Sequence, residues 1–292
     1  MPRFFCQLSL WVGLLLTGLL TVGADTFRFY PSDFVGPPLP GSDPRWEEIQ
    51  RFHQELAERK EADTQRVFTA ILQRDYATLQ EILAAGHDPD RPLPKPAPAE
   101  FLHALHEPRL VYYATKEDGF TPLMLAAGLG DINAARLLLE AGADRWKKTK
   151  RHRTYALWLA SRTGDIELMR LLMNLDPEGA WQLFRIHVSL TDQRLVVFQE
   201  ADIVLESPVS SGKKSKPTPP GRYVVTDKHR DWKSTIYNVS MPHFVRLSCS
   251  EIGFHAGRLP GYPASSGCIR LPPAKARELF SLIPLGTLVD IE

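Results

Sequence analysis

The stretch from Asp118 to Asp144 recurs in part 33 residues later, and a repeat of that length constrains the fold more than any other feature of the chain. Asp118-Gly119-Phe120-Thr121-Pro122-Leu123-Met124-Leu125-Ala126-Ala127 leads to Gly130, to Ala135-Arg136-Leu137-Leu138-Leu139 and to Ala141-Gly142-Ala143-Asp144. Thr154-Tyr155-Ala156-Leu157-Trp158-Leu159-Ala160 restarts the pattern, and Gly164 and Leu168 to Leu172 complete it. A degenerate earlier copy runs from Val67 to Asp88. Such a unit cannot bury its apolar face alone, so neighbouring units must stack. The spacing from Gly86 to Gly142 predicts one repeat plus a Pro-rich insertion near 89–115. Upstream, Asp43-Pro44 reads as a helix start. Trp46, Ile49, Phe52 and Leu56 follow at helical spacing, predicting a capping helix through Lys60.

The Thr-Pro-Leu start, the Leu-Ala-Ala helix and the Gly-Ala-Asp turn closely resemble ankyrin repeats, with Met124 where a histidine is usual. About three copies are expected over 44–179. The resemblance implies a partner-binding array or, equally, a spacer, since a fold names no ligand.

The N-terminus reads as an export signal over 1–24. Arg3 supplies the positive region, Leu8 to Leu20 the apolar run, and Val22-Gly23-Ala24 the small-residue cleavage site. The run is too short for a comfortable membrane span. Residues 25–43 read as an extended leader. Of three cysteines in the chain, Cys6 leaves with the signal, so the mature protein keeps Cys249 and Cys268. The formal net charge is +1, which gives no global field to recruit nucleic acid or an anionic membrane.

After Asp176-Pro177-Glu178-Gly179 the apolar period changes from helical to alternating. Ile186, Val188 and Leu190 share a strand face, Leu195 to Phe198 and Ile203 to Leu205 follow, and Tyr223 to Thr226 and Ile236 to Ser248 carry more strands. Pro272-Pro273 opens one helix through Ile283, and Leu288 to Ile291 closes the chain as a strand. The predicted fold is multidomain: a helical repeat solenoid followed by a mainly-β domain over 184–292. Within that domain His255 ends an apolar strand, and Cys268 follows a Pro/Gly loop and a small-residue turn. A cysteine nucleophile needs a nearby base and backbone donors for a developing oxyanion.

Residues from about 184 to the C-terminus resemble the catalytic domain of the L,D-transpeptidases, the YkuD family. The resemblance rests on Val209-Ser210-Ser211-Gly212 with Thr218-Pro219-Pro220-Gly221-Arg222-Tyr223, on Met241-Pro242-His243-Phe244, on His255-Ala256-Gly257 with Ser265-Ser266-Gly267-Cys268-Ile269-Arg270, and on Gly286-Thr287-Leu288-Val289. It implies attack by Cys268 on a peptidoglycan tetrapeptide stem, loss of D-alanine through a thioester, and transfer to an amine that gives a 3→3 cross-link. Hydrolysis or lipoprotein attachment are variants of the same chemistry. His255 is the implied general base and acid, oriented by the Ala256 carbonyl. Gly267 and Cys268 supply oxyanion N–H groups, and Arg270, Ser265, Ser266 and Tyr262 are candidates for binding substrate. Ser266 replaces the family's usual histidine. No cofactor or metal is implied. The expected location is the periplasm or cell envelope of a bacterium, with peptidoglycan stems and a protein on the ankyrin repeats as partners, and with neither nucleic acid nor membrane once the signal is cleaved.

Three other readings compete. Cys268 is a buried small hydrophobe or is bridged to Cys249. Cys249, His255 and Cys268 hold zinc, although without paired spacing. Alternatively, the β domain is a non-catalytic envelope module that only docks stem peptides.

Overall fold

A computed structural model describes residues 45–292 and a two-residue ladder pairing Thr21–Val22 with Asp25–Thr26. The export signal and the leader otherwise lie outside the described residues. The chain divides at Glu58/Arg59, and residues 59–292 form one unit that holds both the repeats and the β domain. Among the described residues no helix is long and apolar enough to cross a membrane.

The first helix, α1, runs Arg45–Gln73, well past Lys60. Trp46, Ile49, Phe52 and Leu56 are exposed on it, while its last third buries Val67, Phe68 and Ile71. Within residues 59–292 the buried stripe of this helix begins near Thr64.

Three helix pairs build the repeats: the end of α1 with α2 (Tyr76–Ala84), α5 (Pro122–Gly128) with α6 (Ile132–Glu140), and α7 (Ala156–Ala160) with α8 (Ile166–Leu172). The second helix of each pair starts the same way. Asp75 accepts from the Thr78 N–H at 3.1 Å, Asp131 from Ala134 at 3.0 Å and Asp165 from Leu168 at 2.9 Å. Each cap satisfies an N–H that the helix itself leaves orphaned. The Tyr76 hydroxyl donates to the Asp131 carboxylate and so ties the first pair to the second.

The structural period is 34 rather than 33. Asp131 matches Asp165, Gly130 matches Gly164, and the α5 cap Thr121 matches Tyr155, not Thr154. Thr121 Oγ1 accepts from Met124, whereas Tyr155 makes no side-chain cap and Thr154 instead donates to the Tyr113 hydroxyl.

The insertion after Asp88 is folded. It carries α3 (Ala99–Ala104) and α4 (Pro108–Lys116). Leu93, Phe101, Leu105, Leu110 and Tyr113 join the repeat core. Leu110 packs so closely on Gly128 that a Cβ there would lie 2.3 Å from its Cδ2.

The β domain is an eight-stranded sheet. In chain order the strands are β1 (Phe184–Ser189), β2 (Arg194–Gln199), β3 (Asp202–Pro208), β4 (Gly221–Lys233), β5 (Ser240–Leu247), β6 (Gly253–Ala256), β7 (Ile269–Leu271) and β8 (Leu288–Ile291). Their spatial order is β3-β2-β1-β8-β4-β5-β6-β7. The β1/β8 and β6/β7 pairs are parallel and the rest antiparallel. β4 serves two partners, β8 with its first part and β5 with its second, and a register shift between Val225 and Asp227 interrupts the β5 ladder.

Helix α9 (Pro273–Leu282) contributes Ala276 and Leu279 to the same core as Ile186, Val197, Val245, Phe254 and Val289. Beyond β3, Ser210 bridges Arg270 of β7 and Gly212 bridges Ser265. The segment after β3 thus covers the edge of β7 at Arg270, beside Cys268.

Candidate active site

β6 and β7 position the two chemical groups. Their parallel register pairs Phe254 with Ile269 and His255 with Arg270. Cys268 lies one residue before that ladder, level with Gly253. Side chains alternate along strands, so Cys268 shares a sheet face with His255 and Arg270. The 13-residue separation in sequence becomes a diagonal neighbour across one strand pair.

His255 is 7% exposed, and its Nδ1 lies 2.8 Å from the Ala256 carbonyl. Only a protonated Nδ1 makes that bond, which leaves Nε2 as the basic nitrogen. Burial holds the His255 pKa below its ordinary value, and the Arg270 charge lowers it further against the opposing Ala256 bond. The imidazole is therefore neutral at neutral pH.

Cys268 is half-buried, and its thiol donates to the Glu251 carbonyl at 3.6 Å. Burial raises the thiol pKa. Hydrogen bonding from the Gly253 backbone and the charges of Arg246 and Arg270 pull it back, while Glu251 raises it. The resting pair is thus a neutral thiol and a neutral imidazole.

The turn before the cysteine is tied by its own side chains. Ser265 is 1% exposed; its hydroxyl donates to the Cys268 carbonyl and accepts from the Gly267 N–H at 3.1 Å. Both hydrogen bonds of the Ser265 hydroxyl, expected to bind substrate, close the turn, and the Gly267 N–H, expected as an oxyanion donor, is engaged there with Ser265. What the glycine contributes is conformation: its φ of +117° is one that L side chains rarely adopt. The Cys268 N–H closes no hydrogen bond among the described residues.

Thr218 fixes the turn from outside. Its hydroxyl donates to the Gly267 carbonyl at 2.8 Å and accepts from the Gly212 N–H at 2.8 Å. Gly212 itself has no room for a side chain, since a Cβ would lie 2.3 Å from the Lys216 carbonyl. Of the remaining candidates, Ser266 and Tyr262 are exposed, with the Tyr262 carbonyl accepting from Ser210 Oγ at 2.8 Å. The Arg270 stem runs over Gly257, where a Cβ would lie 2.9 Å from its Cδ.

Sequence reasoning missed Arg246 and Asp227. Arg246 Nε donates to both Asp227 carboxylate oxygens at 3.1 Å, and its Nη1 to the Ser250 carbonyl at 3.2 Å. Its guanidinium also lies 4.9 Å from the Phe244 ring centroid. It holds the 248–252 turn, from which Glu251 reaches Cys268. Asp227 follows the register shift in β4, and a one-residue slip changes the face a residue occupies. Period counting therefore cannot place it.

Cys249 is a free thiol, as is Cys268. Cys249 Sγ faces the Tyr155 hydroxyl at 3.9 Å, at the start of α7. Arg170 of α8 donates to the Gly286 carbonyl at 2.9 and 3.2 Å and stacks 4.0 Å from the Trp181 ring centroid. The third repeat thus seats directly on the β domain, against the turn that carries Glu251. Among the described residues no three His, Cys, Asp or Glu side chains gather as a metal site.

Residues 184–291 match the family model of the L,D-transpeptidase catalytic domain, and residues 68–180 match that of ankyrin repeats, in 3 copies. A Bacillus licheniformis protein named for L,D-transpeptidase YkuD is 31% identical over 114 residues, covering 37% of this chain and 65% of that relative, just under two thirds of its length. Among solved structures, an Enterococcus faecium L,D-transpeptidase mutant is 25% identical, with 37% of this chain and 49% of that one covered and a TM-score of 0.35. A Mycobacterium smegmatis L,D-transpeptidase is 20% identical, with 38% and 58% covered and a TM-score of 0.36.

Proposed function

With residues 184–291 an L,D-transpeptidase catalytic domain set behind ankyrin repeats, we propose that the chain is an exported cysteine acyltransferase of peptidoglycan stem peptides. The observation that carries the reading is the shared face of His255 and Cys268, with Nδ1 locked on the Ala256 carbonyl and Nε2 left basic. The thiol turns from the Glu251 carbonyl toward Nε2 when a stem peptide enters. Nε2 takes the proton as Sγ attacks the carbonyl between the L-centre at stem position three and the terminal D-alanine. The Cys268 N–H receives the developing oxyanion. Imidazolium then protonates the leaving amine, D-alanine departs, and a thioester remains. An acceptor amine resolves the thioester to a 3→3 cross-link, with His255 again holding the proton.

Arg270, opposite His255 and free of carboxylate partners among the described residues, pairs with the substrate carboxylate. The exposed Ser266 and Tyr262 line its approach. No step calls for a cofactor.

Incubating the purified protein with disaccharide-tetrapeptide tests this reading. We expect free D-alanine, 3→3 cross-linked dimers by mass, and stoichiometric alkylation of one thiol that Cys268→Ser removes. D-alanine without dimers identifies a carboxypeptidase. No D-alanine, with Cys268 inert to alkylation, eliminates the enzyme in favour of a docking module.

A further inference from the structure

The turn between the second and third repeats reads Asp144-Arg145-Trp146-Lys147-Lys148-Thr149-Lys150-Arg151-His152-Arg153. Six of these ten residues are Lys or Arg and one is acidic, in a chain whose whole net charge is +1. The finger is not a loose basic tail. Thr149 is fully buried and its N–H donates to the Thr154 carbonyl at 2.9 Å; the Lys150 N–H donates to the Asp118 carbonyl at 2.9 Å. Beneath it the buried Glu117 carboxylate accepts from the His152 N–H at 3.2 Å and also meets the His152 ring. This base fixes the backbone and presents Lys148, Lys150, Arg151 and Arg153 outward, all exposed.

Beside the finger runs a concavity of about 500 Å³, walled by Lys147, Lys148 and Lys150 on one side and by Pro92, Leu93 and Lys95 of the insertion on the other. Its internal compensation is weak. Lys95 and Lys150 lie 3.7 and 4.0 Å from Asp118, and Lys147 lies 3.7 Å from Asp90. Pairs this long around the exposed Asp118 carboxylate contribute little, so an incoming carboxylate can take over Lys95 and Lys150 at low cost.

We propose that this groove docks an acidic, extended segment of a partner protein. Charge complementarity selects the sign of the ligand. The concave shape, with Pro92 and Lys95 facing Lys147, Lys148 and Lys150, suits a single chain better than a flat bilayer, which meets only protruding tips. A preorganised cationic surface also avoids the ordering cost a flexible tail carries.

The test uses the full chain and a fluorescein-labelled decapeptide alternating glutamate and alanine, with the glutamine-alanine peptide and phosphatidylglycerol vesicles as comparators. We expect the acidic peptide to bind at least tenfold more tightly than its glutamine analogue. K148E/R151E/R153E should weaken it tenfold or more and K95E, on the opposite wall, about threefold or more. K213E/K214E, an exposed basic pair on the β domain, should leave binding unchanged. Circular dichroism and D-alanine release should match wild type throughout. Equal weakening by K213E/K214E and the finger variant would show only a diffuse field and overturn the proposal. Peptide binding that survives the finger variant, or vesicle binding lost in that variant without any peptide binding, would overturn it as well.

Discussion

The repeat region and the β domain reach order by opposite means. The repeats apply one local rule three times. Asp75, Asp131 and Asp165 each cap the helix that follows, Gly130 and Gly164 each take a positive φ just before that cap, and Gly86 and Gly142 each take one after the helix. The caps and turns of such a unit are set by residues close in sequence, and only its apolar face needs a neighbouring unit. The β domain uses each device once and assembles it from distant segments. Thr218 closes on Gly267, Ser210 on Arg270 and Arg246 on Asp227. Local redundancy tolerates damage, whereas a non-local site made of single parts does not. The two regions should therefore respond differently to substitutions of the same chemical size.

The largest contrast is expected at His255. His255→Gln should lower D-alanine release by about 10² to 10⁴-fold, the usual worth of a positioned acid/base, while thermal unfolding shifts little. The wild-type pH profile sharpens the point. Burial depresses the His255 pKa, so the base stays neutral down to pH values below the ordinary 6.5, and the acid limb of the rate should lie below 6.5. Burial raises the Cys268 pKa, so alkylation should keep accelerating beyond pH 9.0. An acid limb above 6.5, or alkylation already level at neutral pH, would indicate a thiolate–imidazolium pair instead.

A second contrast compares two glycines. At Gly253 a Cβ would lie 2.3 Å from the Val245 carbonyl, and at Gly142 it would meet nothing although φ is +91°. Gly253→Ala should destabilise by roughly 1–3 kcal/mol through overpacking and slow Cys268 alkylation, because β6 must shift beside the thiol. Gly142→Ala should cost about 1 kcal/mol of backbone strain and leave alkylation untouched. Equal effects on alkylation would erase the distinction between the regions.

Next in size is Asp131→Ala, which removes a helix cap. We expect about 1 kcal/mol lost in a denaturant titration, with D-alanine release per folded molecule unchanged.

The smallest effect probes the place where the comparison breaks. Tyr155 belongs to the third repeat, yet its hydroxyl meets Cys249 in the turn that carries Glu251. Tyr155→Phe keeps the ring and removes only that contact. A change in Cys268 alkylation rate of about twofold or less, with unaltered secondary structure, is the expected result. A change beyond tenfold would make the repeats part of the catalytic apparatus.

Much of this was legible before the structure. The repeat was visible because its caps, glycines and apolar helices recur within one unit. Even so, the sequence alignment on Thr154 gave a period of 33, and helix geometry sets it at 34, with Tyr155 at the cap. Helical spacing placed Trp46 to Leu56 on a helix but did not show that the same helix runs on to Gln73 and buries Val67, Phe68 and Ile71. Cys268, His255 and the Ala256 carbonyl were named from one contiguous stretch. The same stretch did not reveal that the Gly267 N–H bonds the Ser265 hydroxyl, since turn residues look alike whether they face a ligand or one another.

The sequence by itself determined the two fold classes, the order of the regions and the placing of one histidine and one cysteine in a single short stretch. Each depends on short-range pattern, which is written in neighbouring residues. Only the tertiary structure decided that 209–212 closes the sheet beside Cys268, that Asp227 and Arg246 hold the turn donating an acceptor to the thiol, and that the third repeat seats on that turn. These are contacts between residues far apart in the chain. A bulge or a single step of register redirects every side chain beyond it, so no local pattern encodes them.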